Sequence, residues 1–164
     1  MATTDTCVQT LRDFLKSERT KCGRGVASER LTAFERQNDV RLPDDLNAYF
    51  SELNGTDGDY AYGIIRFWAL DEVASLEQEI QSISSRASVI QATYGSPTAE
   101  MKDYFVFADH MHEAQLYAIR LGPASKNNMV VMLDGGEPVE VASSFSDFIN
   151  QYMTNPEALK LTVD

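Results

Sequence analysis

Cysteine, histidine and tryptophan are scarce in this sequence: two Cys, two His and one Trp among 164 residues. Cys7 and Cys22 lie fifteen positions apart in a polar region. That spacing fits neither a disulfide framework nor a short-spaced zinc or redox motif, so free thiols are expected. No run of eighteen apolar residues occurs, which leaves no membrane-helix candidate. The first ten residues also lack the basic start and apolar core of a secretory leader. A cytoplasmic, reducing location is therefore expected.

Basic residues are also in short supply. Fourteen Lys and Arg face 25 Asp and Glu, giving a net charge of -11 at pH 7. The shortage is local: residues 1–42 hold eight basic and six acidic side chains, whereas residues 43–164 hold six and nineteen, a balance of -13. Such a field repels phosphate backbones and anionic membrane surfaces, so neither direct nucleic-acid binding nor membrane binding is expected. It attracts a basic protein partner in a salt-dependent way, although acidic surfaces also serve plain solubility.

With 43% hydrophobic and 24% charged residues, the composition is that of a compact domain. No repeat, linker or low-complexity tract divides it, so one domain over residues 1–164 is expected. A first helix is predicted over residues 5–19, with Val8, Leu11, Phe14 and Leu15 on one stripe, ended by Gly23 and Gly25. A second starts at a Ser28 cap, buries Leu31 and Phe34 and stops before Asn38-Asp39. Leu42-Pro43-Asp44-Asp45 opens a third, with proline in its first turn and carboxylates at the positive end of its dipole. Leu46, Tyr49, Phe50 and Leu53 form its apolar face, and Asn54-Gly55 closes it.

After the polar loop Thr56-Asp57-Gly58-Asp59, a strand is predicted over residues 62–68 and a fourth helix over residues 71–83, with Val73, Leu76, Ile80 and Ile83 on one side. Residues 84–102 read as an insertion loop around the Gly95-Ser96-Pro97 turn. Residues 104–108 and 116–121 form an antiparallel strand pair, and residues 129–133 and 138–142 a hairpin around Asp134-Gly135-Gly136-Glu137. Ser144 and Asp147 make a capping box for a last helix that buries Phe145, Phe148, Ile149 and Tyr152 and is bounded by Pro156. The fold class expected is α+β: a mostly antiparallel sheet of about five strands, helices before it and a closing C-terminal helix.

Several short motifs recur in a telling order. They are Phe34-Glu35, Leu42-Pro43-Asp44-Asp45, Asn54-Gly55, Phe67-Trp68 and Leu70-Asp71-Glu72-Val73. Downstream stand Phe105-Val106-Phe107-Ala108-Asp109, Tyr117-Ala118-Ile119 and Ser144-Phe145-Ser146-Asp147-Phe148-Ile149. Together these resemble the SUKH superfamily in its Smi/Knr-type branch, named for a cell-wall assembly regulator and rich in bacterial toxin-immunity proteins. The resemblance covers about residues 28–153 and leaves out the first helix and residues 84–101. It implies a scaffold whose members bind proteins, many of them neutralising toxins that are often nucleases or deaminases. No shared catalytic residue comes with it.

No enzyme, cofactor or metal site is read from the residues. His110 and His112 in Asp109-His110-Met111-His112-Glu113 would share a face on a straight strand and diverge if a β-turn occupies the segment, and no Cys or third His completes an evident site. Replacing both with Ala is expected to cost no more than about 1 kcal/mol, as at a surface. Gly23-Arg24-Gly25 follows a helix and lacks the Lys-Ser or Lys-Thr of a phosphate loop, so it connects helices. Trp68 is expected in the core. The candidate partner-binding residues are Asp57, Asp59, Tyr60, Tyr62, Asp71 and Glu72, because a loop with aromatics beside acids pairs contact area with charge. The functional expectation is an immunity-type protein that occludes a basic toxin domain. A regulatory scaffold without a toxin is the alternative, and a hydrolase with an unrecognised site a distant third.

Overall fold

The computed structural model describes residues 4–60, 65–86, 94–124 and 126–161. Three helices come first: α1 (Thr4–Ser17), α2 (Ser28–Asn38) and α3 (Asp44–Glu52). Their predicted apolar stripes are the faces they bury, with Val8, Leu11 and Leu15 on α1, Leu31 and Phe34 on α2, and Leu46, Tyr49 and Phe50 on α3. The helix starts differ by one residue from the expectation. Ala27 is the N-cap of α2 and bonds nothing with its side chain, so Ser28 is already helical. Pro43 likewise stands at the N-cap of α3 rather than inside its first turn. Asp39, at φ 52°, closes α2 in the left-handed conformation.

Gly23 and Gly25 do connect helices, for a packing reason. A Cβ on Gly23 would lie 2.3 Å from Asn54 O, and one on Gly25 1.8 Å from Ser51 O. The bare backbone lets Gly23 N donate to Gly55 O and Val26 N to Phe50 O, each at 2.9 Å, which lashes the α1–α2 connection to the end of α3.

The sheet is antiparallel and has six strands, one more than expected: β1 (Ile65–Phe67), β2 (Ala74–Ser75), β3 (Tyr104–His110), β4 (Gln115–Arg120), β5 (Val130–Leu133) and β6 (Val139–Ala142). Its order is β1-β3-β4-β5-β6, with β2 also on β3. Both predicted strand pairs are present. Of the strand expected at 62–68, the part up to residue 64 lies outside the described residues. One face packs against α1, α2, α3 and the closing helix α5 (Phe145–Thr154) through Phe67, Phe107, Tyr117 and Phe148. The other face carries Val106, Leu116, Ala118 and Val131 under α4 (Leu76–Arg86) and a 3-10 turn at Ala99–Asp103. A second 3-10 turn, Pro156–Leu159, follows α5, as the bounding proline suggests.

The fourth helix begins five residues later than predicted. Ser75 accepts from Gln78 N at 3.2 Å through its hydroxyl, and Gln78 returns its amide oxygen to Ser75 N at 3.3 Å. That reciprocal cap outcompetes the carboxylates at Asp71 and Glu72, which sit in a turn instead. Leu76 and Ile80 are buried as expected, but Val73 packs against the other cluster. At α5, Ser144 accepts from Asp147 N at 3.0 Å, and Asp147 reaches back to Ser143 N at 2.9 Å, one residue earlier than a standard box. The Ser143 N–H holds the Asp147 carboxyl below its ordinary range. No described helix is long and apolar enough to cross a membrane.

Candidate functional site

The site is built on one irregularity in β3. Val106 pairs with Ala118 and Ala108 with Tyr117, so Phe107 is an extra, bulged residue. Simple alternation would put Asp109 on the side of Phe105 and Phe107. The bulge turns it to the face of Val106, where Trp68 also packs. Asp109 is 0% exposed there.

Four donors meet this carboxylate. Tyr60 OH at 2.6 Å and Glu113 N at 3.1 Å reach Oδ1; Trp68 Nε1 at 2.6 Å and Arg66 Nε at 2.9 Å reach Oδ2. Arg66 also donates to Glu72 Oε1 at 2.6 Å and lies 5.2 Å from the centre of the Trp68 ring. Burial opposes the Arg66 charge, but the Glu72 bond and the Asp109 field outweigh it and hold the guanidinium above its ordinary value. Burial and then the bond to Asp109 push the Tyr60 phenol up to about 12, so it stays a donor. With both oxygens filled, Asp109 is a structural anchor and has no free lone pair for acid–base work.

The family-like motifs position this anchor. Asn54 Oδ1 accepts from Leu70 N at 2.8 Å, and Thr56 exchanges bonds with Phe67 at 3.1 and 3.2 Å. Asn54 and Gly55 are both left-handed, at φ 50° and 85°. A Cβ on Gly55 would meet Ala69 N at 2.7 Å, so the glycine admits the Trp68–Leu70 segment as well as ending the helix region. Glu35 accepts from Leu42 N at 2.8 Å, and Asp45 accepts from Ser146 N at 2.8 Å, tying α3 to the start of α5.

Beyond Asp109 the β3–β4 connection is strained. Met111, His112 and Glu113 are consecutively left-handed, at φ 48°, 55° and 67°. None is glycine, and each costs about 1 kcal/mol in that region. Asp109 Oδ1 holds Glu113 N, Tyr94 OH donates to Glu113 O, and Ala114 N donates to Met111 O at 3.3 Å. The turn presents Met111, 55% exposed, and His112, whose ring lies 4.8 Å from Tyr60.

His110 and His112 diverge. His110 is only 2% exposed, with Nδ1 2.9 Å from Gln115 Oε1 and no partner for Nε2 among the described residues. The expectation of a surface-like double substitution therefore fails at His110, because removing a buried ring leaves a void. Among the described residues no three His, Cys, Asp or Glu side chains gather to hold a metal. Both cysteines are free and half-buried, and burial raises their thiol pKa values.

Five of the six predicted contact residues fall among the described residues. Tyr60 and Glu72 meet through Asp109 and Arg66. Asp57 is exposed in the loop before them, and Asp59 accepts from Lys21 N at 3.2 Å. Asp71 pairs with Arg30 beside a cleft of about 410 Å³ against α2. Tyr62 lies outside the described residues. Trp68 is buried as expected, but as a donor to a carboxylate. Sequence reading missed the roles of Asp109 and Arg66 and the left-handed backbone of the 111–113 turn. An Asp directly after the apolar run Phe105-Val106-Phe107-Ala108 was the available signal.

No curated protein matches the chain. A family model described as SMI1 / KNR4 family (SUKH-1) matches residues 25–151, a span that contains every residue of the anchor and reaches into the closing helix. The chain belongs to the SMI1 / KNR4 family (SUKH-1).

Proposed function

We propose that this chain is a binding protein of immunity type, which occludes a basic toxin domain in a one-to-one complex. Family membership is consistent with either an immunity or a regulatory binding role. The observation that carries the reading is the left-handed turn at Met111, His112 and Glu113, fixed by a buried carboxylate next to Tyr60. Strain of this kind persists where the surroundings over-determine it, and a rigid exposed Met beside the tilted Tyr60 and His112 ring pair is a pre-organised contact. The proposed contact set adds Asp57 and Asp59, just before Tyr60 in the chain, Glu72 on Arg66, Asp71 on Arg30, and Tyr62 on the strength of the sequence. The balance of -13 over residues 43–164 steers a basic partner toward this surface.

Capture from the source cell with tagged chain, followed by expression of the captured partner alone, tests this. A basic partner that arrests growth alone, with growth restored by the chain, is the expected result. A basic but harmless partner points to the regulatory scaffold instead. A partner that is not basic overturns the electrostatic reading.

A further inference from the structure

The opposite end of the sheet carries another surface. Tyr104 and His110 bound β3, so this end lies roughly 20 Å from the strained turn. On the α4 face Met101, Tyr104, Met129 and Val131 floor a groove of about 180 Å³. The Tyr104 hydroxyl donates to Met129 Sδ at 3.4 Å, so the floor's own polar group is satisfied. Glu100, Glu137 and Glu140 rim it, all exposed, and among the described residues no Lys or Arg lines it. Arg120, opposite Tyr104 in the sheet, lines a neighbouring cleft instead.

Strand β6 runs along this groove as the last strand of the sheet. Among the described residues, none of its backbone groups bonds outside the β5 ladder. Glu140 stands opposite Val131 and so faces the groove, whereas Val139 stands opposite Met132 and faces the other side, 44% exposed. The exposed part of the edge is therefore Val139 and Glu140, which face opposite sides, while Val141 bulges between Glu140 and Ala142 and both Val141 and Ala142 are buried.

We infer that the β6 edge and its groove take an extended segment of the partner, with Lys or Arg at alternate positions and apolar residues between them. Such a segment would add a strand to the sheet. Its cationic stems would lie on Met101 and Met129 with their heads at the glutamates, and its apolar residues would cover Val139. A second copy of β6 would set like charges across the ladder, which disfavours self-pairing at this edge. The inference rests on the reading of a basic partner, but not on the strained turn as its contact.

The test is an amide chemical-shift titration of the isotope-labelled full chain with a short capped peptide of alternating Val and Lys, and with its Val and Glu counterpart. The Lys peptide is expected to shift Met101, Met129 and residues 139–142 saturably, and the Glu peptide to shift nothing. Glu137→Gln with Glu140→Gln should weaken binding roughly fivefold at an unchanged unfolding midpoint. Shifts confined to residues 57–60 and 111–113, or affinity unchanged in the double variant, overturn the groove and leave the basic-partner reading standing. No shift anywhere at millimolar peptide overturns both.

Discussion

Trp68 Nε1 donates to Asp109 Oδ2 at 2.6 Å, joining the residue after β1 to the far end of β3 around a carboxylate with 0% exposure. The same oxygen takes Arg66, so the charge is paired as well as hydrogen-bonded. Arg66 keeps Glu72 in Asp109→Asn, but an amide nitrogen in place of one oxygen sets donor against donor in a buried site, and the variant is expected to cost about 3 kcal/mol. Urea unfolding checks the loss, and the fluorescence of the lone Trp reports the local change. A cost under about 1 kcal/mol would show that Asp109 does not anchor the site.

Gly55 and Gly58 both have positive φ, 85° and 77°, but differ in surroundings. A Cβ on Gly58 meets nothing within 4 Å, whereas one on Gly55 meets Ala69 N at 2.7 Å. Gly58→Ala should cost about 1 kcal/mol from its backbone conformation alone. Gly55→Ala should cost clearly more and perturb the near-UV signal of Trp68. Equal unfolding midpoints for the two variants would contradict the close approach.

The start of α4 at Leu76 rests on the Ser75 and Gln78 cap. Ser75→Ala is expected to cost about 1 kcal/mol. Asp71→Ala, outside the helix and paired only at the surface with Arg30, should cost within about 0.5 kcal/mol. The opposite ranking in thermal melts would restore a helix beginning at Asp71.

Burial holds the His110 imidazole below its ordinary value of 6.5, against the opposing pull of the Gln115 bond and the Asp109 charge. The fold favours the neutral ring, so the unfolded chain takes up this proton first as pH falls. The contribution is therefore fully present above the unfolded value and is lost as pH drops from there toward the folded one. Asp147, whose lowered pKa acts only below the ordinary value of 3.8, stays out of that window. The unfolding midpoint should be lower at about pH 5.5 than at about pH 7.5. His110→Gln should remove most of the difference, while His112→Gln, at an exposed position, should keep it. An unchanged pH dependence in His110→Gln would contradict the burial argument.

Most elements were legible because they follow local rules: apolar spacing on α1 and α5, Asp134-Gly135-Gly136 in the hairpin, Asn54-Gly55 after α3. The site was not, because it depends on non-local events. A bulge at Phe107 exchanges the faces of Asp109 and its neighbours, and nothing in an apolar run marks which residue will bulge. The left-handed turn at Met111, His112 and Glu113 contradicts local preference and exists only because Asp109 and Tyr94 hold its backbone. The misplaced start of α4 was readable: Ser75-Leu76-Glu77-Gln78 is a capping-box sequence, outweighed in the reading by the acids at Asp71 and Glu72.

The association rate with the captured partner, followed as salt rises from about 0.01 M to about 0.15 M, tests recognition of a basic protein by this acidic surface most directly. Across that range the Debye length falls from about 30 Å to about 8 Å. Association should slow about tenfold, and Asp57→Asn with Asp59→Asn should flatten much of that dependence. Asp71→Asn and Glu72→Gln should slow association further, since the first takes the carboxylate from Arg30 and the second leaves Arg66 with Asp109 alone. Met111→Ala and Tyr62→Ala should act mainly by speeding dissociation. An association rate indifferent to salt, with all charge variants at parental rates, would contradict the electrostatic basis of binding.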